Sequence, residues 1–403
     1  MLKKFLPAFL VLTALVGLIV IGFNWINSNP SNSLASPGAS KTISNQAISP
    51  QAKVKPQLQL DTIVEGLSNP WDLQFANIDT LLFTQRQGGL FKKVASAAIS
   101  LVHRPVDLNA NGEGGMLGLV LGPDFANKRE LFTCFNSRQT DKPDIKVVKL
   151  KLNASLDAVE ERNDIITDLP ANRSGRHSGC RLAVDTQANL WVATGDAAMA
   201  STPQDPKSLG GKILRVDLNG KAVVGNLPAP FDPRIFSYGH RNSQGLIIFD
   251  EPIAGSYGFS SEHGSNIDDE INPLLPGNFG WSPNAPYVEN VPMTDTKRFP
   301  EAITALWSSG SPTVAVSGMT MLKGRQWGMW ENGIMLAVQK NRHIRLFTQG
   351  EVSNGVIPQL IDNGPVISDH GRIRTVVPGP SGAVYFLTDN GNGQDKIIRI
   401  TPE

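Results

Sequence analysis

The sequence is poor in cysteine and has no excess of either charge. Two cysteines, Cys134 and Cys180, occur in 403 residues, so a disulfide-rich scaffold is excluded. Lysine plus arginine number 37 against 36 for aspartate plus glutamate, and no basic stripe is interleaved with aromatic residues. The electrostatic footprint of a nucleic-acid-binding protein is therefore absent, and we expect no nucleic acid partner.

The two cysteines permit a single disulfide, which an oxidising compartment would allow. A free cysteine, however, commonly behaves as a small buried apolar side chain. We favour two buried, unpaired side chains, and the disulfide between Cys134 and Cys180 stays open as the alternative.

Long apolar runs are absent after the N-terminus. Phe5–Phe23 is uncharged and follows Lys3 and Lys4. At about 1.5 Å rise per residue it nearly spans a hydrocarbon core of about 30 Å. Residues 1–26 are therefore predicted to be a hydrophobic helix, a signal anchor or a signal peptide, and the length of the apolar run favours the uncleaved anchor. Because the lysines are held inside, the rest of the chain is expected outside the cytoplasm, anchored or secreted.

Residues 27–56 are rich in serine, asparagine and proline and poor in aromatics, which predicts a flexible tether. The remainder, 57–403, is the predicted folded domain. The chain is 40% hydrophobic and 18% charged, values typical of a globular protein.

Long helical periodicities are also nearly absent. From Gln57 onward, short apolar runs alternate with turns rich in glycine, aspartate or asparagine, in six units that often include a charged third strand. The units begin at Trp71, Met116, Arg181, Gly245, Met319 and Ile373. This radial repetition predicts an all-β fold, a six-bladed β-propeller of four-stranded antiparallel sheets. The strand near Leu58 is expected to pair with the final strand from Lys396 and to close the ring.

Polar segments that precede the first strand of each blade can converge on the axis of a propeller. Arg241, Lys340, Arg372 and Arg374 lie in or beside such segments. Arg372 and Arg374, spaced i and i+2, would lie on the same face of an extended strand. Four cations at one end of the axis indicate a multiply charged anion, either a small polycarboxylate or a phosphate.

Eight motifs in order resemble those of the soluble sugar dehydrogenases that depend on pyrroloquinoline quinone, the glucose/sorbosone dehydrogenase family. The resemblance covers about Gly66 to the C-terminus. The motifs are "GLSNPWDLQF", "GEGGMLGLVLGPDF", "HSGCRLAVD…LWVATGD", "LGGKILRVDLNG", "YGHRNSQGL", "SEHGSNIDDEINPLLPGNFGW", "SGMTM" and "HGRIR". The resemblance implies an exported enzyme that oxidises aldose sugars at C1 to the lactone. It also implies pyrroloquinoline quinone and Ca²⁺ as cofactors, and the electron acceptor stays unidentified.

The resemblance further implies catalytic roles for three residues. His177 would be the general base that takes the proton of the anomeric hydroxyl. Asp196 would hydrogen-bond that imidazole and support the imidazolium. Arg241 would stabilise charge that develops on the quinone oxygen.

Cofactor contacts are implied in the same way for Glu113, Arg241, Asn242, Lys340, Arg372 and Arg374. The main-chain carbonyls of Gly264 and Ser265 would hold calcium together with the quinone. Glu113 departs from the family, which has glutamine there, and an ionised glutamate would repel a carboxylate of the cofactor. Trp281, Trp327 and Trp330 are interpreted as blade packing.

Two other function classes stay open. The propeller could be a non-catalytic binding module, a reading favoured if Glu113 excludes the quinone. It could also be a calcium-dependent hydrolase of the lactonase type, which would need a metal site lined by carboxylates and asparagines on the axis.

Overall fold

The computed structural model describes residues 54–138, 143–350 and 356–403. The predicted N-terminal hydrophobic helix and almost all of the predicted tether lie outside these ranges. Within them, no helix is long and apolar enough to cross a membrane.

The described chain is built almost entirely of short strands. In chain order they are β1 (Leu58–Leu67), β2 (Pro70–Asn77), β3 (Thr80–Gln85), β4 (Gly89–Val94), β5 (Ser100–His103), β6 (Met116–Leu121), β7 (Glu130–Ser137), β8 (Asp144–Leu152), β9 (Val159–Pro170), β10 (Arg181–Val184), β11 (Leu190–Ala193), β12 (Lys212–Val216), β13 (Ile235–Tyr238), β14 (Ser243–Ile253), β15 (Ser256–Glu262), β16 (Glu270–Pro273), β17 (Gly277–Asn278), β18 (Trp307–Ser308), β19 (Val316–Met321), β20 (Ile334–Val338), β21 (His343–Gln349), β22 (Leu360–Ile367), β23 (Ile373–Pro378), β24 (Val384–Thr388) and β25 (Asp395–Pro402). A four-residue helix α1 (Phe125–Lys128) and two 3₁₀ segments, Arg325–Trp330 and Pro380–Gly382, complete the secondary structure of the described ranges.

These strands form six sheets, which confirms the predicted six-bladed propeller. Blade 1 contains β2–β5, blade 2 β6–β9, blade 3 β10–β13, blade 4 β14–β16 with β18, blade 5 β19–β22, and blade 6 β23–β25 with β1. Blade 3 carries one addition, the short β17, which pairs with β13 in parallel. Each predicted unit begins in the first strand of its blade, and for blades 2, 3 and 6 it begins at the first residue of that strand.

The sequence forms blades because several second strands are short and mainly apolar. β11 (LWVA), β20 (IMLAV) and β24 (VYFLT) are buried at every position. Both faces of such a strand lie against neighbouring blades, so the run need not alternate polar with apolar residues. The core consequently lies between the sheets.

The ring closes as the sequence predicts. β1 pairs with β25 in antiparallel register from Leu58 opposite Pro402 to Leu67 opposite Asp395. An ion pair between Arg399 and Asp61, 2.7 Å long, crosses the same two strands. The first and last strands of the domain therefore share one blade, in which β1 is the outer strand and β25 is paired on both sides.

The preference for unpaired cysteines was wrong, since Cys134 and Cys180 form a disulfide. Cys134 lies in β7 of blade 2, and Cys180 directly precedes β10 of blade 3. The two Cα atoms are 6.5 Å apart, within the usual span of about 4.4–6.8 Å. Contact between adjacent blades brings together residues that are 46 positions apart in sequence.

One long connection leaves its own blade. The segment between β16 and β18 passes back to blade 3, where β17 pairs with β13. The N–H of Trp281 donates to the carbonyl of Gly239 at 2.9 Å and holds the segment there. Farther on, Asn284 and Val288 form a β-bridge that turns the chain back on itself. We call residues 279–290 the site loop, because it reaches the predicted catalytic pair.

Candidate active site

A hairpin brings His177 and Asp196 together. β10 and β11 pair with Arg181 opposite Ala193, so residues just before β10 and just after β11 lie at the same end. His177 Nδ1 lies 2.8 Å from Asp196 Oδ1, and the two residues are 4% and 0% exposed. Gly195 permits this approach, because a Cβ there would lie 1.9 Å from the His177 carbonyl oxygen.

The Asp196 carboxylate is saturated with donors. Oδ1 accepts from His177 Nδ1 and from the N–H of Ala198, both at 2.8 Å. Oδ2 accepts from Trp281 Nε1 at 2.8 Å and from the Tyr287 hydroxyl at 2.7 Å. An ionised carboxylate offers about four acceptor sites and all are used. With Nδ1–H directed at Asp196, Nε2 is the acceptor of the neutral imidazole and the atom available for proton transfer.

Trp281 is buried as predicted, but it also contacts the predicted catalytic pair. Its side chain is fully buried, and its indole N–H donates a hydrogen bond to Asp196. Trp327 and Trp330, in contrast, belong to a hydrophobic cluster of blades 5 and 6, as predicted.

The backbone of His177 is held in an unusual conformation. Its φ is 51°, in the left-handed region that few non-glycine residues adopt. The N–H of His177 donates to Glu113 Oε2 at 3.0 Å. Glu113 thus fixes the main chain of the predicted base, a contact that the sequence does not reveal.

Arg241 and Asn242 lie beside this pair. The Arg241 carbonyl accepts from the N–H of Asp196 at 2.8 Å. Asn242 is 2% exposed, and its Oδ1 accepts from the N–H of Gly179 at 3.1 Å. The Arg241 guanidinium donates through Nη2 to Glu289 Oε1 at 2.5 Å and through Nη1 to the His263 carbonyl at 3.1 Å. Glu289, on the site loop, is therefore the counter-ion of Arg241, and Arg241 lowers the pKa of that carboxyl despite its partial burial.

Two adjoining cavities lie at this end of the axis. The larger, about 220 Å³, is lined by Glu113, Arg176, His177, Arg241, Asn242, His263, Gly264, Ser265, Asp269, Thr313 and Ala315. The smaller, about 100 Å³, is lined by Trp71, Glu113, Ser178, Gly179, Gln244, His263, Gln339, Arg372 and Arg374. Because Glu113 and His263 line both, the predicted base and the predicted cation pair flank one connected region.

The predicted cations differ in where they lie. Arg372 and Arg374 both line the smaller cavity, where they donate at 2.8 Å to Gln339 Oε1 and Gln244 Oε1. Arg374 also pairs with Asp389. Lys340 is exposed and lines neither cavity.

Gly264 and Ser265 line the larger cavity in a tight turn. Asp269 fixes this turn, since its carboxylate accepts from the N–H groups of Gly264 at 2.9 Å and of Val314 at 2.5 Å. Burial raises the pKa of Asp269. Its oxygens are occupied by backbone donors, so the Asp269 carboxylate supports the turn.

The comparisons with known proteins show the family of the chain. The family model described as glucose/sorbosone dehydrogenase matches residues 67–399. The chain belongs to this family. It is 29% identical over 363 residues to the aldose sugar dehydrogenase YliI of Escherichia coli, covering 86% of this chain and 93% of that protein. Membership of the glucose/sorbosone dehydrogenase family confirms the resemblance and supports an oxidoreductase.

Solved structures of family members share the fold. The crystal structure of the soluble aldose sugar dehydrogenase of Escherichia coli in its apo form superposes with a TM-score of 0.75 at 26% identity, over 86% of this chain and 100% of that chain. The PQQ-bound aldose sugar dehydrogenase of Streptomyces coelicolor superposes with a TM-score of 0.68 at 24% identity, over 87% and 100% of the two chains.

Sequence reasoning missed part of the site in this family member. Trp281, Tyr287 and Glu289 all contact predicted catalytic residues, yet none was assigned to them. The available signal was "GNFGWSPNAPYVEN", an irregular stretch with one tyrosine and one glutamate within reach of a tryptophan of the family pattern.

Lys212, in the "LGGK" motif of the family, stabilises the segment that follows Asp196. It is fully buried, and its Nζ donates to the carbonyls of Thr202, Pro203 and Gly210 at 2.7, 3.0 and 2.8 Å. Burial lowers the pKa of Lys212 to about 7, but three carbonyl acceptors favour the ammonium form, which carries three donors. Lys212 thereby ties together the segment that follows Asp196, since Thr202 Oγ1 also donates to the Asp196 carbonyl at 2.6 Å.

Proposed function

We propose that this protein is an exported quinoprotein dehydrogenase that oxidises an aldose at C1 to the lactone, with His177 as general base. One observation carries the proposal: His177, hydrogen-bonded to the buried Asp196, lines a cavity that adjoins the one lined by Arg372 and Arg374. A base and an anion site are thus adjacent, as a sugar and an anionic hydride acceptor require.

The residues present fit pyrroloquinoline quinone, which is anionic and aromatic. Guanidinium groups bind carboxylates in bidentate fashion, and two of them line the smaller cavity. Within the described part of the chain, Arg374 Nε and His263 Nε2 are buried without a hydrogen-bond partner. Burial and nearby arginines hold the pKa of His263 well below its usual range. This imidazole is therefore neutral and does not repel the neighbouring guanidinium groups. In this proposal Arg241, Asn242, Arg372 and Arg374 hold the cofactor, Glu113 faces it where the two cavities meet, and Lys340 lies at the margin.

The chain's own groups would act on the sugar. Nε2 of His177 accepts the proton of the C1 hydroxyl as the C1–H bond breaks. Asp196 keeps Nδ1 protonated and stabilises the imidazolium that results. The bound quinone supplies the acceptor for the hydride that leaves C1. Loss of that proton and that hydride converts the cyclic hemiacetal into the lactone.

Arg241 would stabilise negative charge at the reduced carbonyl of the cofactor. Its guanidinium lies over the Trp281 ring at 5.7 Å and is oriented by Glu289. Calcium would be held by the main-chain carbonyls of Gly264 and Ser265, with further oxygen ligands from the cofactor, because this cation takes about six to eight.

We also propose an extracytoplasmic location and membrane attachment through the N-terminal segment, with residues 27–56 as tether and 57–403 as the catalytic domain. The charged start and the apolar run Phe5–Phe23 support export. The Cys134–Cys180 disulfide is suited to an oxidising compartment.

The hydrolase alternative loses support. Among the described residues, no group of three or more His, Cys, Asp or Glu side chains is placed to hold a metal ion. A lactonase-type mechanism needs such a carboxylate-rich site on the axis.

The proposed function is tested by reconstitution. The full chain, purified in detergent with CaCl₂ and pyrroloquinoline quinone, should reduce an artificial dye when aldoses are added, and should not do so with the quinone omitted. A folded, quinone-loaded protein that oxidises no aldose of a broad panel would contradict the proposal.

Arg372 and Lys340 give a paired test of the cofactor site. Arg372→Gln should weaken quinone binding about tenfold to a hundredfold, because a hydrogen bond to a charged group contributes about 1.5–3 kcal/mol. Lys340→Met should change the dissociation constant less than about threefold, because the Lys340 side chain lines neither cavity. Equilibrium titration of the cofactor-free protein measures both. An equal loss of quinone affinity in the two variants would contradict the assignment of Arg372, and not Lys340, to the cofactor site.

Glu113→Gln should tighten quinone binding by roughly fivefold, because an exposed like-charge contact costs up to about 1 kcal/mol. The glutamine carbonyl can still accept the His177 N–H, so the backbone support survives. The same titration applies, with the exposed Glu301→Gln as matched control. Weaker binding in Glu113→Gln would mean that the carboxylate itself contributes to the cofactor site.

A further inference from the structure

We propose that Tyr287 is a positioning residue for the His177–Asp196 pair, delivered to it by the site loop. This inference rests on the proposed function, in which His177 is the base. None of the sequence motifs assigned Tyr287 a role.

The Tyr287 hydroxyl contacts both members of the pair. It donates to Asp196 Oδ2 at 2.7 Å and lies 3.1 Å from His177 Nδ1. The two rings meet edge to face with centroids 5.8 Å apart. The hydroxyl therefore lies in the angle between carboxylate and imidazole, where it restricts rotation of both groups.

The site loop is anchored on the active-site side. Arg176, the neighbour of His177, lies over the Tyr287 ring at 5.7 Å and donates to Glu289 Oε2 at 3.0 Å. Glu289 Oε1 accepts from Arg241. Two arginines thus hold Glu289, two residues after Tyr287, and one of them also lies over the Tyr287 ring. The tyrosine is presented as part of a fixed structure, as positioning requires.

Tyr287 acts as a donor throughout the working range. Burial, together with the charge of Asp196, raises the pKa of its hydroxyl. A neutral phenol that donates to the carboxylate draws part of its negative charge away from the imidazole. Loss of this bond should leave more charge facing His177, and should therefore favour the imidazolium.

Other charged or titratable groups also face His177. They are Asp196, Tyr287, Glu113, Arg176, Arg241, His263 and Glu289. Tyr287→Phe leaves the charge of all these groups unchanged, so a change in the titration of His177 reports the lost hydroxyl.

The test compares Tyr287→Phe with Tyr257→Phe. Tyr257 packs against Trp191 and Phe236 and is not part of the site loop. Tyr257→Phe therefore removes the same hydroxyl group at a position outside the loop. In the cofactor-free full chain, the pKa of His177 is measured by NMR titration of labelled histidines, assigned with His177→Asn. Tyr287→Phe should raise this pKa by about 0.5 unit or more, and Tyr257→Phe should leave it unchanged.

Kinetics of the loaded protein provide the second readout. Tyr287→Phe should lower kcat about tenfold, move the acid limb of the pH–rate profile upward, and leave the quinone dissociation constant unchanged. An unchanged His177 titration, or a loss that appears equally in Tyr257→Phe, would overturn the positioning role. The NMR titration needs no turnover, so it tests the role of Tyr287 even if the wild type oxidises no sugar. Absence of sugar oxidation would refute the proposed function and leave the role of Tyr287 to the titration.

Discussion

Replacing His177 by alanine should lower sugar-dependent dye reduction by about 10²–10⁴-fold, the range that a general base contributes. The reason is positional: His177 is buried, and Asp196 engages Nδ1 and leaves Nε2 to accept the proton. Quinone retention should persist, since the guanidinium groups of the smaller cavity are untouched.

The measurement is the initial rate of dye reduction at saturating aldose, with bound quinone determined in the same sample. His103→Ala is the matched control, because it removes an imidazole from β5 of blade 1. Turnover within about threefold of wild type in His177→Ala would place the base elsewhere.

Replacing Lys212 by methionine should lower the free energy of unfolding by about 3–5 kcal/mol. Three carbonyl oxygens would lose their donor in a fully buried place. Hydrogen bonds to charged groups contribute about 1.5–3 kcal/mol each, and the buried methionine offsets part of that loss.

Lys221→Met is the control, since Lys221 is exposed, and its replacement should cost less than about 0.5 kcal/mol. Denaturant unfolding of the cofactor-free protein compares the two variants. If Lys212→Met were as stable as Lys221→Met, the buried ammonium would not tie the segment behind Asp196 together.

The fold could be predicted because its information is local. Two apolar runs around a polar turn predict each blade. The ring closure follows because one strand at each end of the domain has no partner in its own unit of the sequence. The disulfide could not be predicted in the same way. It depends on the contact between blades 2 and 3, which no local pattern specifies.

The candidate site was predictable where a hairpin sets the geometry. His177 and Asp196 flank β10 and β11, so antiparallel pairing alone places them together. Tyr287 reaches the same carboxylate from 91 positions away, through a connection without regular periodicity. No repeat or alternation marks such a residue, and only its tertiary contacts reveal it.

The charge of the site was predicted less well than its members. Sequence reasoning placed four cations at one end of the axis, but it could not see their counter-ions. Arg241 pairs with Glu289 and Arg374 with Asp389. The partners lie 48 and 15 positions away in sequence. Their negative charges make the anion site less positive than the arginines and lysine alone suggest.

Equilibrium binding of pyrroloquinoline quinone to the cofactor-free full chain, in the presence of CaCl₂, tests the central claim most directly. We expect saturable binding of one quinone per chain with a dissociation constant of about 1 μM or tighter, and weaker binding in Arg372→Gln. A folded protein that shows no saturable binding up to about 100 μM would contradict that claim.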